Sequence, residues 1–520
     1  MIKHSVIAEH ALARPGEPAV ISGDRTVSWA ELKDLTERLA TGLAQLLPIP
    51  TRFPGPLRAT FLSENRWEIA VLQAATATLG LSMVGIDDSL PPAHVAACLR
   101  QLQPTVIFVS PSRHALLTKA LRIDGPGATL RHSATVVTLP ALDGDDPRDD
   151  LSWPWDELAA VKPDPSIWPA LPFEGLGFTS GTTSAPKLVL RSQPFDARRQ
   201  RDVIKFFGLT DADVYLNTVP LYHASGAGWA RIFMTLGGRV VLAPHDDAPR
   251  IVDALVRQRV TGTLMVPPVL DSVVRQVADS VAGPDLTLRF VVTGGRHTSP
   301  SLVRRTTAAL GDVLHVYYGT TETGLNTLTV AGELRAEPGS VGAPFPGNEI
   351  LVLDRDDRPL QPRQHGRIAV GGYMIADTYA ELPPPRVRVD GIDAWLTPDT
   401  GWLDADGRLN VMSRDLPPEL AEIDVVGLEG DLRDLLHLDD VAICVDSSEA
   451  GPNIVVAFVR SPGSNPTSAQ VAAEVVSRVD HVPVHAYSVD RIPYSPTGKV
   501  RARTLLSLVG HPSPAVSMRR

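Results

Sequence analysis

The chain has 520 residues, of which 43% are hydrophobic and 21% charged, and carries a net charge of −10. That length corresponds to ~3 ordinary domains, the composition excludes a wholly disordered chain, and the acidic balance argues against nucleic acid or an anionic membrane as partner. Two cysteines far apart in sequence, Cys98 and Cys444, exclude a disulfide scaffold and a multi-cysteine zinc site, and they fit a reducing compartment.

The first residues, MIKHSVIAEHALARPGEP, lack the apolar core of a signal peptide, and no apolar run is long enough to span a bilayer, so a cytoplasmic enzyme is expected. Ser28 and Glu31 form a capping-box pattern that opens a helix. Leu32, Leu35, Leu39, Leu43 and Leu46 then follow at helical spacing. Ala59–Leu62 is a short apolar strand, an apolar helix is predicted at about 67–79, and Thr105–Val109 is the next strand. This alternation predicts an α/β protein with a mostly parallel sheet covered by helices. Residues 143–172 are acidic and proline-rich and read as an exposed connection. Beyond them the alternation resumes with strands at Thr263–Val266, Arg289–Thr293 and Val313–Tyr318 and a helix starting at Ser299. From about 338 the texture changes to Gly/Pro turns and short strands, a β-rich subdomain, with Asp406-Gly407 a hairpin signal. A break at Ser413–Pro418 precedes a last segment long enough for a small α/β domain. The expected division is 1–412 for a large domain, 413–418 for a hinge and 419–520 for the small domain.

One stretch stands out: GFTSGTTSAPKLVLRS, residues Gly177 to Ser192. Hydroxyl side chains, backbone N–H groups around a glycine and the ammonium of Lys187 can all donate to phosphate oxygens. The G-x-x-x-x-G-K-[ST] pattern is absent, because Gly181 is followed by TTSAPKL. Taken alone, the stretch reads either as a polyphosphate cradle or as a Ser/Thr-rich surface turn. The chain has only 7 lysines, and both Lys187 and Lys499 sit in Gly/Pro/Thr-rich motifs.

The same stretch resembles the phosphate loop of the adenylate-forming superfamily of acyl- and aryl-CoA synthetases, peptide-synthetase adenylation domains and luciferases. It matches from Phe178 to Thr183 and again at Pro186-Lys187, and it departs at Ser184 and Leu188, where the family has glycine. Five further motifs follow in family order: PLYHASG at Pro220–Gly226, VVTGGRHTSP, YYGTTETG at Tyr317–Gly324, WLTPDTGWLDADGRLNVMSRD and PYSPTGKVRARTL. The resemblance covers nearly the whole chain. It implies a large adenylation domain, a small mobile domain, and a reaction in which a carboxylate attacks the α-phosphate of ATP to give an acyl-adenylate and pyrophosphate. Two anions must meet there while charge builds on phosphate oxygens, which requires donors, a cation and Mg²⁺.

Carried over motif by motif, Thr179, Ser180, Gly181, Thr182, Thr183 and Lys187 would wrap the β- and γ-phosphates. Tyr318, with Gly319 and Thr320 beside it, would stack on adenine, Thr321 would donate to the α-phosphate, and Glu322 would ligate Mg²⁺. Gly294, Gly295 and Arg296 would line the adenine and acyl pocket, or form a plain strand-to-helix turn. Asp399 and Arg414 would hold the ribose, and Lys499 would swing in to bridge the substrate carboxylate and the nucleotide. His223 would gate an acyl pocket shaped by Ser225, Gly226, Tyr317 and Trp229, the last of these equally readable as core. Ala224 stands where amino-acid-activating relatives carry an aspartate, which points away from an α-amino acid.

The match fails after the hinge residue Asp415, where Leu420 and Ile423 replace the family's lysine and glycine and Pro417-Pro418 follow closely. Prolines lock φ, so the hinge is expected to turn less freely and the thioester step to be altered. The acceptor implied is the thiol of coenzyme A or of a carrier-protein phosphopantetheine. Two alternatives stand beside it: a non-thiol, amine-type acceptor, and a nucleotide-binding homologue without turnover.

Overall fold

A computed structural model describes residues 2–47, 56–123, 134–141, 152–169, 171–179, 185–192, 197–280, 283–414, 416, 420, 423–448, 451–479 and 482–510. Two parallel sheets form its centre. The larger has nine strands in the spatial order Ala343–Pro344, Gly324–Leu328, Leu314–Thr320, Phe290–Gly294, Gly262–Leu264, Val214–Asn217, Arg239–Leu242, Pro18–Ser22 and Arg25–Ser28. Its six central strands run parallel, and the pairs at each edge are antiparallel. The smaller has five parallel strands, in the order Ser82–Gly85, Arg58–Leu62, Val106–Val109, Thr135–Thr138 and Trp153–Pro154. Parallel strands buried on both faces need apolar runs, and VIFV at 106–109 and FVVTG at 290–294 are buried throughout.

Local chemistry sets the element boundaries. Ser28 accepts the Glu31 amide at 3.2 Å and opens helix Trp29–Leu46, on which Leu32, Leu39 and Leu43 are fully buried. The expected capping box is only half formed, because the Glu31 carboxylate pairs with Arg25. Ser299 likewise accepts the Leu302 amide and opens helix Pro300–Leu310. Residues 143–151 and 170 of the acidic, proline-rich segment lie outside the described residues, and the described part is exposed only in places. Trp155 and Leu158, on the short helix Trp155–Ala159, are 3% and 4% exposed and belong to the main core. Leu158 lies against Gly42, and Trp155 packs edge-on to Trp67. Two apolar anchors outweigh the polar residues around them, and composition averages hid them.

A five-stranded antiparallel sheet follows, built from Asn348–Leu353, Gly366–Gly372, Arg386–Val389, Ile392–Leu403 and Leu409–Arg414. Its last hairpin turns at Gly407, whose φ of 77° matches the Asp406-Gly407 signal. Beyond it, strands Leu438–Ser448, Gly451–Arg460 and Val484–Ser488 carry helices Val425–Leu435 and Ser468–Val476, with their own apolar core around Leu432, Val456, Phe458 and Val471.

Candidate active site

The cleft lies where parallel α/β sheets generally bind ligands, outside the carboxyl ends of their strands. Strand Val214–Asn217 leads to His223, Gly262–Leu264 to Val266, Phe290–Gly294 to Gly295, and Leu314–Thr320 to Thr321. Tyr317, Gly319, Thr320, Thr321, Gly295, His223, Ser225 and Trp229 all line one cavity of about 770 Å³. Lys499 and Thr497 reach the same cavity from the small domain. Gly294 has no room for a side chain, since an added Cβ would sit 2.5 Å from the Tyr317 ring.

The base of the hydroxyl-rich loop is closed by backbone pairing. The Thr179 amide donates to the Lys187 carbonyl at 3.0 Å, and the Lys187 amide donates to Thr179 Oγ1 at 2.9 Å. Ser180, Gly181, Thr182 and Thr183 lie outside the described residues, as does the hinge residue Asp415. The Lys187 ammonium sits 5.3 Å from the centre of the Tyr379 ring, and Tyr379 donates to Glu322 Oε1 at 2.7 Å. Strand pairing between Thr378–Tyr379 and Leu188–Arg191 brings these residues together across almost 200 positions of sequence. Arg191 donates to the carbonyls of Thr321 and Met374 and so braces the loop that carries Glu322.

Glu322 stands without a cluster. No group of three or more His, Cys, Asp or Glu suited to a metal is present among the described residues. A single carboxylate beside the hydroxyl-rich stretch fits Mg²⁺, which is held by one or two carboxylates plus substrate phosphates.

His223 is the N-cap of helix Ala224–Leu236. Its Nδ1 accepts the Ser225 amide at 3.4 Å and lies 2.8 Å from Ser225 Oγ. Because Nδ1 is the acceptor, the proton of the neutral ring is on Nε2. Burial, with the Lys499 charge adding to it, lowers its pKa to about 4, so the ring is neutral at pH 7. The Ser225 and Tyr317 hydroxyls are also hydrogen-bonded, and burial pushes Tyr317 up to about 12. Trp229 lines the cavity and also stacks on Tyr215 within the core at 6.2 Å. Gly226 faces the Pro220 carbonyl, where a Cβ would meet oxygen at 2.3 Å, and lies off the cavity wall.

Tyr318 and Asp399, expected to hold the nucleoside, are not among the residues that line the cavity; they meet each other. The tyrosine hydroxyl donates to Asp399 Oδ2 at 2.7 Å, and both residues are buried. Asp399 is opposite Arg414 in the strand register. Thr321 Oγ1 donates to the Phe178 carbonyl at 3.4 Å, at the start of the hydroxyl-rich stretch.

Arg296 points away from the cavity toward the small domain. Its guanidinium reaches Glu429 at 3.4 Å and the Val441 carbonyl at 3.3 Å, and lies 4.6 Å from the Tyr494 ring. Arg304–Asp434 at 2.9 Å and Arg501 donating to Ser89 at 2.7 Å add contacts between the two domains. Sequence reasoning did not single out Arg191, Tyr379, Glu429 or Tyr494 as functional. Their roles come from partners distant in sequence, and no local motif carries that signal.

Lys499 sits in a tight turn. The Ser495 amide donates to the Lys499 carbonyl at 2.8 Å, the Lys499 amide donates to Ser495 Oγ at 3.1 Å, and Gly498 has φ 78°. The turn rests on Val266 and Pro268 of the large domain.

The AMP-binding enzyme family signature matches residues 7–380. The chain is 27% identical over 517 residues to an indoleacetate–CoA ligase of Aromatoleum aromaticum, covering 97% of each. It is 28% identical to a salicylyl-CoA synthase / salicylate adenylyltransferase of a Streptomyces species, over 94% of this chain and 90% of the relative. Among solved structures, ATP-bound MatB from Rhodopseudomonas palustris superposes with a TM-score of 0.78 at 20% identity, covering 98% of this chain and 99% of that one. These matches agree with the order of motifs and with the two-domain α/β architecture: the chain belongs to the AMP-binding enzyme family.

Proposed function

We infer that the protein is an ATP-dependent acid-activating ligase that forms an acyl- or aryl-adenylate with release of pyrophosphate and then passes the acyl group to a thiol. The observation that carries this reading is the meeting of Lys499, from the last turn of the small domain, with Thr321, Gly295 and His223 in one cavity. An ammonium on a flexible stem can bridge two anions as they approach, a carboxylate and an α-phosphate. The neutral His223 adds no charge there and presents an N–H at Nε2. Glu322, braced by Tyr379, would hold Mg²⁺, which when bound neutralises charge on the phosphates. Thr179, Ser180, Gly181, Thr182, Thr183 and Lys187 would seat the pyrophosphate end, and Tyr318, Asp399 and Arg414 the nucleoside.

The division into a large domain of residues 1–412, a hinge at 413–418 and a small domain of 419–520 supplies the motion, with Asp415 as pivot. The relatives named as CoA ligases favour coenzyme A as acceptor, and a fatty acid–[acyl-carrier-protein] ligase of Streptomyces coeruleorubidus, 25% identical over 95% of this chain and 94% of the relative, supports a carrier protein as a second thiol source. Aryl substrates of the indoleacetate and salicylate type fit the aromatic wall at Trp229 and Tyr317. No helix among the described residues is long and apolar enough to cross a membrane. Two buried free cysteines suit a reducing, cytoplasmic setting.

Acid-dependent ATP–pyrophosphate exchange tests the reading. Lys499→Ala should lower it by ~10²–10³, the scale for losing one transition-state donor. Exchange at the wild-type rate would remove Lys499 from the chemistry.

A further inference from the structure

The turn that carries Lys499 is anchored at its base. Tyr494, which precedes it, forms an antiparallel bridge with Val500, the residue after the lysine. The Tyr494 hydroxyl donates to Asp440 Oδ2 at 2.6 Å, and Arg433 holds the other oxygen of Asp440 at 2.6 Å. These bonds tie the turn to strand Leu438–Ser448 and helix Val425–Leu435 of the small domain. The ring of Tyr494 is covered by a residue of the large domain, since the Arg296 guanidinium lies over it at 4.6 Å from its centre.

Arg296 follows Gly295, which lines the cavity together with Thr497 and Lys499. Three groups of the small domain receive its guanidinium: the Tyr494 ring, the Glu429 carboxylate at 3.4 Å and the Val441 carbonyl at 3.3 Å. Glu429 is itself fixed, because its other oxygen accepts the Ile443 amide at 2.8 Å. Arg275 and Arg304 also cross to the small domain, at Asp439 and Asp434, but their side chains are 44% and 62% exposed, and exposed pairs contribute little. Arg296 is only 13% exposed. A guanidinium in so dry a contact is stable only where its partners surround it. A small shift of one domain over the other would strand that charge, so these contacts select one docking position. Because Tyr494 is bridged to Val500, that position is passed directly to Lys499.

We propose that Arg296 is a positioning residue for adenylation: by covering Tyr494 and pairing with Glu429 it fixes the base of the turn, and with it the place of the Lys499 ammonium in the cavity. The proposal rests on the acid-activating reading and adds to it the large-domain residue that sets where Lys499 stands. Arg296 does not line the cavity, so it acts through the turn and not on the substrate.

The test uses the full-length protein in two measurements: acid-dependent ATP–pyrophosphate exchange with salicylate and indole-3-acetate, and amide hydrogen exchange without ligands. Arg296→Ala should lower kcat by ~10- to 100-fold, the range for losing hydrogen bonds to a charged group, with KM for ATP and acid changed by less than ~3-fold. Amides of residues 494–500 should exchange ~10-fold faster, while those of strand Gly451–Arg460 in the small-domain core keep their rates. Arg296→Lys keeps the charge facing Glu429 but not the planar fork, and should recover part of the loss. Tyr494→Leu should lower kcat by itself but by less than ~3-fold when added to Arg296→Ala, since the two side chains act as one contact. A wild-type kcat for Arg296→Ala, a loss carried by KM alone, or additive effects of the two substitutions would overturn the proposal. So would faster hydrogen exchange throughout the small domain, which marks a general loss of structure. If no acid supports pyrophosphate exchange by the wild-type protein, the acid-activating reading fails; unchanged hydrogen exchange at 494–500 in Arg296→Ala sinks the positioning role alone.

Discussion

Gly498 couples the geometry of the Lys499 turn to the closing of the two domains. Substitution by alanine meets two separate costs there. The first is the positive φ of 78°, which costs an L-residue roughly 1–2 kcal/mol wherever the small domain happens to be. The second is contact: the new Cβ would lie 2.8 Å from Val266 Cβ and 3.1 Å from its Cγ2. Overpacking of this kind costs about 1–3 kcal/mol, but only while the small domain is docked on the large one. If Lys499 acts as proposed, adenylation needs the docked state, and Gly498→Ala should reduce acid-dependent ATP–pyrophosphate exchange by ~5- to 150-fold, from the docked-state cost alone. The φ cost should appear instead as a lower midpoint of thermal unfolding. Val266→Ala in the same chain removes the Cγ2 contact at 3.1 Å but keeps the Cβ at 2.8 Å, so the double variant should regain part of the exchange activity and none of the unfolding midpoint. The reasoning is refuted if Gly498→Ala exchanges at the wild-type rate, or if Val266→Ala restores nothing while the protein remains folded.

The clamp between domains is open to a similar test. Glu429→Gln keeps an acceptor for the Ile443 amide, now 2.8 Å from the carboxylate, but removes the charge facing Arg296. It should lower adenylation by ~10-fold with little change in the midpoint for the large domain, and an unchanged rate would show that the Arg296 contact does not hold the closed state. Tyr379→Phe deletes the hydroxyl that orients Glu322, worth about 1 kcal/mol, and should raise the Mg²⁺ concentration needed for half-maximal exchange several-fold. An unaltered Mg²⁺ titration would separate Glu322 from the metal. His297, buried beside Arg296 and Arg433, has its pKa lowered by burial first and by those charges second, to about 3, and His223 lies near 4. Unfolded histidines take up protons near 6.5 and these two do so only well below it, so their contribution to stability is complete above pH 6.5 and is lost as pH falls toward 4 and 3. Unfolding midpoints measured from pH 7.5 to 4.5 should fall accordingly, and His297→Gln should make the fall shallower.

The candidate site was legible where its chemistry is local. Capping by Ser299 and the Gly407 hairpin join residues within a few positions, and spacing alone announces them. Motif order also fixed the family, since each motif is a short run whose residue types the reaction itself requires. Residues whose partners are remote were not legible in this way. Arg296, expected near the nucleotide, instead faces Glu429 and Tyr494, because the closing of the small domain decides where a guanidinium at that turn can go. Trp155 and Leu158 looked like part of a solvated connection until helix Trp29–Leu46 offered them a surface at Gly42.

By itself, then, the order of residues determined the alternation of strands and helices, which follows from spacing over a few turns of chain, and the ordered motifs whose resemblance to a known family implied the reaction class. Only the tertiary structure decided which of the motif side chains share a cavity, that Tyr379 braces Glu322, and that Arg231 lines the same cavity. Such placements depend on packing between elements far apart in the chain, and a sequence pattern holds no record of distance.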